Sequence, residues 1–170
     1  MHGMMILSLQ PCLYQISQAI QPIVMIHSLN TNWCLWYHSI KDKTWTNKSY
    51  RLLFTINNFY DIYSLQNIIS KNHLQNAMFF CMKEDIFPTW EDPDNREGCC
   101  ISFKIPNKDL KSEWDQILIK SIIEEILQNE SYSDQLNGIS IAPKKEFNII
   151  KLWLRNQTDD YLEICKKKIR

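Results

Sequence analysis

Hydrophobic and polar residues alternate in short runs along most of the chain after residue 26. In the clearest run, Ile101, Phe103 and Ile105 alternate with Ser102 and Lys104, a pattern typical of a half-buried antiparallel strand. Five further runs are strand-like. The six predicted strands are Trp33–His38, Tyr50–Ile56, Ala77–Met82, Cys99–Ile105, Gly138–Ala142 and Asn148–Leu154.

Three other stretches have apolar residues at helical spacing. The first is predicted over Asn58–Lys71, with Asn57 or Asn58 as its N-cap. The second begins at Ser112, which together with Asp115 resembles a capping box. The third covers Thr158–Lys168, with acidic residues in its first turn and lysines in its last. Because the helices are mixed with antiparallel strands without a regular βαβ rhythm, the predicted fold class is α+β, with helices on one face of an antiparallel sheet.

The composition favours one globular domain preceded by a short leader. The chain has 170 residues, of which 45% are hydrophobic and 22% charged, and its formal net charge is zero. This balance excludes a protein that coats nucleic acid by bulk positive charge. Residues 1–26 are apolar and rich in Gln but contain no Lys or Arg, so we expect a flexible or loosely docked leader rather than a secretory signal, and residues 27–170 form the domain. No apolar run is long enough to span a membrane, so no membrane partner is expected.

Catalytic and metal-binding patterns are weak. The chain has only three glycines, so no glycine-rich phosphate loop can be formed. The six cysteines form no C-x-x-C pair and are interpreted as buried thiols rather than as disulfides or metal ligands. The four histidines have no Ser or Cys nucleophile pattern near them. The sequence therefore predicts a protein that is not an enzyme and has no metal or other cofactor.

Two tryptophans occur in polar loops instead of in predicted strands or helices. Trp45 lies in a Lys- and Thr-rich loop, and Trp90 lies in a Pro-flanked segment directly before Glu91. Each indole is either a local lid on the core or a stacking platform. Two indoles and a carboxylate would suit a flat, cationic ring that donates hydrogen bonds at its edge.

From about residue 27 to residue 168 the chain resembles the eukaryotic translation initiation factor 4E family, the proteins that bind the messenger-RNA cap. The resemblance depends on the order and spacing of several stretches, which are His27-Ser-Leu-Asn-Thr-Asn-Trp33-Cys-Leu-Trp36-Tyr, Asp42-Lys-Thr-Trp45, Asp61-Ile-Tyr63-Ser-Leu65, Ile86-Phe-Pro88-Thr-Trp90-Glu91-Asp92, Trp114-Asp115, Tyr132-Ser-Asp134 and the strand ending at Trp153. It implies a curved antiparallel sheet with about three helices on its convex face. The early end of the chain and its excess of Ile, Asn and Lys indicate a short, divergent member, for which we expect a virus or an intracellular parasite as the source.

The resemblance implies a site for the 7-methylguanosine cap. Trp45 and Trp90 fall on the two tryptophans that sandwich 7-methylguanine, and Glu91 falls on the carboxylate that accepts hydrogen bonds from the base edge. Trp153 matches a third tryptophan, which contacts the N7-methyl group, although a core strand residue is an equally good interpretation.

The resemblance is weakest where the family binds the cap phosphates. Cys100 and Ile149 stand at positions that are usually basic, whereas Lys144 keeps one basic position. The other candidates for phosphate contact are Lys145, Lys151 and Arg96, each of which is otherwise a solvated surface charge. We therefore expect the triphosphate to contribute less to binding than is usual in the family.

The resemblance also implies a partner site for a helix of an initiation factor 4G-like scaffold or a 4E-binding protein. The matching residues are His27, Leu29, Phe59, Tyr63, Ile119 and Ile123. Alternatively, these side chains pack on the leader.

The function that the resemblance implies is binding of capped mRNA in the cytoplasm, with some nuclear presence, and its linkage to a translation initiation scaffold. One alternative is a decoy that binds the scaffold or 4E-binding proteins but not the cap. A decapping hydrolase would need a cluster of metal-binding carboxylates, which the sequence does not contain.

Overall fold

The computed structural model describes residues 28–127 and 134–158, and their strands form a single curved antiparallel sheet. The strand order in the sheet is β2-β1-β3-β5-β6-β4. The strands are β1 (Ser28–His38), β2 (Tyr50–Asn58), β3 (Met78–Lys83), β4 (Cys99–Pro106), β5 (Leu136–Pro143) and β6 (Phe147–Leu154). All six predicted strands are confirmed. The largest difference is that β1 begins at Ser28 and not at Trp33.

The described residues contain four helices and a short 3-10 helix at Asn47–Ser49. The helices are α1 (Phe59–Ile68), α2 (Lys71–Asn76), α3 (Pro93–Arg96) and α4 (Leu110–Ile122). The first predicted helix is thus two helices, because Ser70 caps a new one. The Ser70 hydroxyl accepts a hydrogen bond from the backbone N–H of His73 at 3.3 Å, and His73 Nδ1 accepts one from the Ser70 N–H at 3.2 Å.

Of the two predicted helix starts that the structure describes, one is confirmed and one is wrong. Asn58 is confirmed as the N-cap of α1, since its side chain accepts from the Asp61 N–H at 3.0 Å while the Asp61 carboxylate accepts from the Asn58 N–H at 3.2 Å. The capping box at Ser112 was wrong. Helix α4 begins at Leu110, and the Ser112 hydroxyl donates to the Asp109 carbonyl from inside the first turn. The third predicted helix and the leader lie outside the described residues.

The strands divide their side chains between two faces, as the period of two requires. On β3, Phe79 and Cys81 join the large core with the helices, whereas Phe80 and Met82 point to the opposite face. This large core is completed by the buried face of α4, with Trp114, Ile117, Leu118 and Ile122. The α+β fold class is therefore confirmed, with α1, α2 and α4 packed on one face of the sheet.

Within residues 28–127 and 134–158, no helix is long and apolar enough to cross a membrane. In the same part of the chain, no three His, Cys, Asp or Glu side chains come together as a possible metal site.

Candidate functional site

The sheet face opposite the helices carries a cavity of about 450 Å³. Three parts of the chain enclose it: the loop after β1, the loop after β3, and the β5–β6 hairpin. Its floor is a small aromatic cluster that includes Tyr50, Phe80 and Trp153. Trp45, Trp90 and Glu91, which lie far apart in the sequence, all line this one cavity.

Trp45 is held at the cavity rim by a stack on His38. The two rings are 4.2 Å apart between centroids and nearly parallel, with an interplanar angle of 7°. The loop before Trp45 is turned by Asp42, whose carboxylate accepts from the backbone N–H of Thr44 at 2.8 Å and from its hydroxyl at 2.6 Å. His38 therefore covers one face of the Trp45 indole. The side chain is still 57% exposed, so it remains open to a ligand.

The loop with Trp90 and Glu91 is fixed from below by a buried asparagine. Asn95, at 1% exposure, donates hydrogen bonds from its amide to the carbonyls of Phe87 and Thr89, at 3.0 and 2.9 Å. Asp92 closes the same loop, since its carboxylate accepts from the Phe87 N–H and caps α3 through the Asp94 N–H. The loop is therefore built as a rigid support.

Two contacts attach this loop to the end of the sheet. The Asn137 amide, at the start of β5, donates to the Asp94 carbonyl at 2.6 Å and to Asn95 Oδ1 at 3.0 Å. Arg155, just after β6, forms an ion pair of 3.1 Å with Asp94. Sequence reasoning missed Asn95 and Asn137, because a buried amide at this distance in sequence leaves no periodic signal.

Trp153 belongs both to the floor of the cavity and to the packed cluster beneath it. Its indole N–H donates to the Ser140 hydroxyl at 2.9 Å, and its ring lies 4.9 Å from that of Trp90 with a tilt of 35°. It is buried but still lines the cavity. The two interpretations of Trp153 are thus compatible, and Trp90, like Trp45, is backed by one aromatic ring.

The predicted basic residues separate into two groups. Lys144 and Lys151 line the cavity together with the uncharged side chain of Ile149. Lys145 and Arg96 are exposed and do not line it, and the Arg96 guanidinium donates instead to the Glu91 carbonyl at 3.2 Å.

Burial decides the protonation of two other groups at the site. Burial, together with the nearby charge of Glu91, raises the pKa of Tyr50 to about 12. Burial also raises the pKa of the Cys100 thiol to about 11, although the Lys151 charge opposes this. At neutral pH both groups are uncharged, and Cys100 is not an activated nucleophile.

The predicted partner residues that the structure describes occupy the opposite, helical side. Phe59 and Tyr63 on α1 are 45% and 68% exposed, which is unusual for large rings one helical turn apart. Leu29 and Ile119 are half-buried and pack on the large core, and Ile123 is half-buried after α4. His27 lies outside the described residues. Tyr60 and Ile68, also strongly exposed on α1, were not predicted.

Comparison with known proteins identifies the same family as the sequence motifs. The family model for eukaryotic initiation factor 4E matches residues 28–170. Eukaryotic translation initiation factor 4E of Saccharomyces cerevisiae is 29% identical over 144 residues, which cover 80% of this chain and 65% of the yeast protein. The human factor is 26% identical over 131 residues, which cover 75% of this chain and 60% of the human one. The chain thus spans slightly less than two thirds of the length of these relatives.

Solved structures of the family share the fold. The complex of Caenorhabditis elegans eIF4E-3 with the 4E-binding protein Mextli and a cap analog superposes with a TM-score of 0.70 at 24% identity, covering 79% of this chain and 77% of that chain. Schistosome eIF4E complexed with m7GpppG and 4E-BP gives a TM-score of 0.71 at 19% identity, covering 79% and 75%. With the family match over most of the chain and the fold in agreement, the chain belongs to the eukaryotic initiation factor 4E family.

Proposed function

We propose that this protein binds the 7-methylguanosine cap of mRNA and links capped RNA to a translation initiation scaffold. The observation that supports cap binding is the cavity itself, where two exposed indoles, each backed by another ring, meet one exposed carboxylate. The cap complexes of the structural relatives support the same proposal.

The chemistry of the cavity fits a methylated base better than an unmethylated one. Methylation at N7 leaves the guanine ring positively charged, so both indoles attract it by cation–π interaction as well as by stacking. Stacking on an aromatic side chain contributes about 1–3 kcal/mol per base. The Glu91 carboxylate accepts from the N–H groups at the base edge and stabilises the cation by its charge.

The test is a tryptophan-fluorescence titration with 7-methyl-GTP and with GTP. We expect saturable quenching by the methylated nucleotide at concentrations at least about 30-fold lower than any quenching by GTP, because two cation–π contacts and one charged pairing are at stake. Glu91→Ala is expected to weaken binding of 7-methyl-GTP by at least about tenfold, because the base edge loses its charged acceptor. Glu97→Ala is the matched control, since Glu97 is an exposed carboxylate at the end of α3 that does not line the cavity. Equal quenching by both nucleotides would refute cap binding.

The exposed rings on α1 support the link to a scaffold. We propose that Phe59 and Tyr63 bind an amphipathic helix of a 4G-like scaffold or 4E-binding protein. The complexes of the relatives with 4E-binding proteins support this proposal. If a scaffold peptide binds while 7-methyl-GTP does not, the decoy function replaces the proposed one.

We also propose that the protein binds the cap without cleaving it. Capped RNA incubated with the protein and Mg²⁺ or Mn²⁺ is expected to remain intact. Release of a methylated nucleotide would instead assign it a decapping activity.

A further inference from the structure

Strand β4 carries positive charge on the same face of the sheet as the cavity. Among the described strands it is the last in the sheet and pairs only with β6. Its residues Ile101, Phe103 and Ile105 belong to the large core on the helix side. Because successive side chains of a strand point to opposite faces, Ser102 and Lys104 lie on the cavity side, where both are exposed.

The pairing with β6 places these two residues beside the lining of the cavity. Ser102 is paired with Lys151, and Lys104 with Ile149, and both β6 residues line the cavity. Paired residues of antiparallel strands are about 4.5–5.5 Å apart between Cα atoms. Ser102 and Lys104 do not line the cavity themselves. They therefore lie one strand farther out, toward the edge of the sheet.

We call Ser102, Lys104 and Lys151 the β4–β6 strip, and its charge is not neutralised by neighbours. Neither β4 nor β6 contains an acidic residue. Neither lysine of the strip forms an ion pair with another described residue. The carboxylates nearest in sequence, Glu97 and Glu146, lie outside the two strands, one before β4 and one in the turn before β6.

An aromatic ring fixes the position of the outer lysine. The Lys104 Nζ lies 4.3 Å from the centroid of the Phe147 ring, at the start of β6. An ammonium group has three N–H donors, and a cation–π contact on one side leaves donors available to an anion on the other. The contact therefore positions the charge of Lys104 without cancelling it.

The strip has the chemistry of a binding site for an RNA backbone. Ammonium and hydroxyl groups donate hydrogen bonds to phosphate oxygens, and such contacts carry no sequence information. The phosphates of a cap nucleotide alone would lie at the lysines that line the cavity, Lys144 and Lys151. An RNA chain continues beyond the cap with one negative charge per nucleotide, so it can reach the next lysine outward.

We propose that the β4–β6 strip binds the RNA chain that follows the cap: the backbone crosses β6 beyond Lys151, and its phosphodiester groups contact Lys104 and Ser102 at the edge of the sheet. The inference rests on the proposed cap-binding function. It predicts that this protein binds a capped RNA more tightly than the cap alone, through charge and independently of the RNA sequence.

The test compares two ligands that share the cap, m7GpppG and the same cap followed by seven uridines. Both are titrated by tryptophan fluorescence at about 50 mM and about 200 mM salt. At the lower salt we expect wild type to bind the longer RNA about 3–10-fold more tightly than m7GpppG. This advantage should decrease about threefold or more at the higher salt, because the added contacts release counterions.

Variants of Lys104 separate its charge from its contact with Phe147. Lys104→Met keeps an apolar stem over the ring but removes the charge, whereas Lys104→Arg keeps the charge. At about 50 mM salt we expect Lys104→Met to bind the longer RNA about 3–5-fold more weakly than wild type and to bind m7GpppG equally well. Lys104→Arg should resemble wild type with both ligands.

The matched control is Lys71→Met. Lys71 is an exposed lysine at the start of α2, on the helix side of the sheet, so its loss should change the affinity for neither ligand. Equal effects of Lys104→Met and Lys71→Met on the longer RNA would overturn the proposal.

The comparison of the two ligands on wild type decides the point without any variant. Equal affinities at the lower salt would overturn the proposal. If Lys104→Met weakens m7GpppG as strongly as the longer RNA, Lys104 contacts the cap itself and the proposal is also wrong. Failure of wild type to bind m7GpppG at either salt concentration would instead overturn the underlying cap-binding function.

Discussion

The two faces of the sheet are made by the same strands but have opposite characters. The helix face is a continuous core of aliphatic and aromatic side chains, including two tryptophans and two phenylalanines, almost all of them fully buried. The cavity face has a much smaller cluster, from which the rings of Trp45 and Trp90 extend into solvent. The first face stabilises the fold, and the second leaves aromatic surface available, which is a cost in stability that a ligand can recover on binding.

The difference between the two faces predicts its largest effect, on the free energy of unfolding, for a pair of tryptophans with one on each face. Trp114→Ala, in the core on α4, is expected to lower the free energy of unfolding by about 3–5 kcal/mol, because it leaves a large cavity between the helices and the sheet. Trp90→Ala is expected to lower it by less than about 1.5 kcal/mol, since the ring is 45% exposed. Urea unfolding followed by far-UV circular dichroism measures both. Similar losses would mean that the two faces do not differ in this way.

A second prediction concerns Asn95, which is buried like a core residue but supports the cavity loop that carries Trp90 and Glu91. Asn95→Ala leaves the buried carbonyls of Phe87 and Thr89 without their donor, so we expect a loss of about 1–3 kcal/mol in the free energy of unfolding. Unlike Trp114→Ala, it should also weaken 7-methyl-GTP binding about tenfold, because the Trp90–Glu91 loop is no longer held.

The measurements for this variant are urea unfolding and nucleotide titration. The control is Asn76→Ala, which removes an exposed amide that hydrogen-bonds only within α2. Full cap affinity in Asn95→Ala would show that the loop is rigid without this side chain.

These buried amides also show where sequence reasoning stops. The six strands and the Asn58 cap could be predicted, because alternation and capping are local patterns. The Ser112 capping box was wrong because the helix begins earlier, at Leu110, so that Asp115 lies inside it and pairs with Lys111.

That Trp45, Trp90 and Glu91 line one cavity could be predicted from the family resemblance. The support beneath them could not, since His38, Asn95 and Asn137 act through contacts that the folded chain alone creates.

A third prediction compares the cavity with the helical surface. Tyr63→Ala is expected to weaken binding of a 4G-type peptide by about 10–100-fold, as loss of an aromatic anchor residue does at other interfaces. Because the side chain is 68% exposed, cap affinity and the free energy of unfolding should hardly change. Isothermal titration calorimetry measures peptide and nucleotide separately. Leu52→Ala, at a 50% exposed apolar residue on β2, is the control, and scaffold binding that survives Tyr63→Ala would place the partner elsewhere.

The smallest expected effect lies at the edge of the cavity, where the phosphates of a bound cap nucleotide would lie. Only two lysines, Lys144 and Lys151, line the described cavity, and Ile149 between them offers no charge. Removing two of the three phosphates from 7-methyl-GTP should therefore weaken binding only about 3–10-fold. This is a small effect, because a single well-buried charged contact alone contributes about 1.5–3 kcal/mol.

Lys151→Ala should reduce the difference in affinity between the tri- and the monophosphate. Lys145→Ala, outside the cavity, should leave this difference unchanged. Fluorescence titration of both nucleotides on the three proteins decides the point. A loss of much more than tenfold on trimming, or an equal effect of the two lysines, would mean that charge rather than the paired indoles dominates binding at this face.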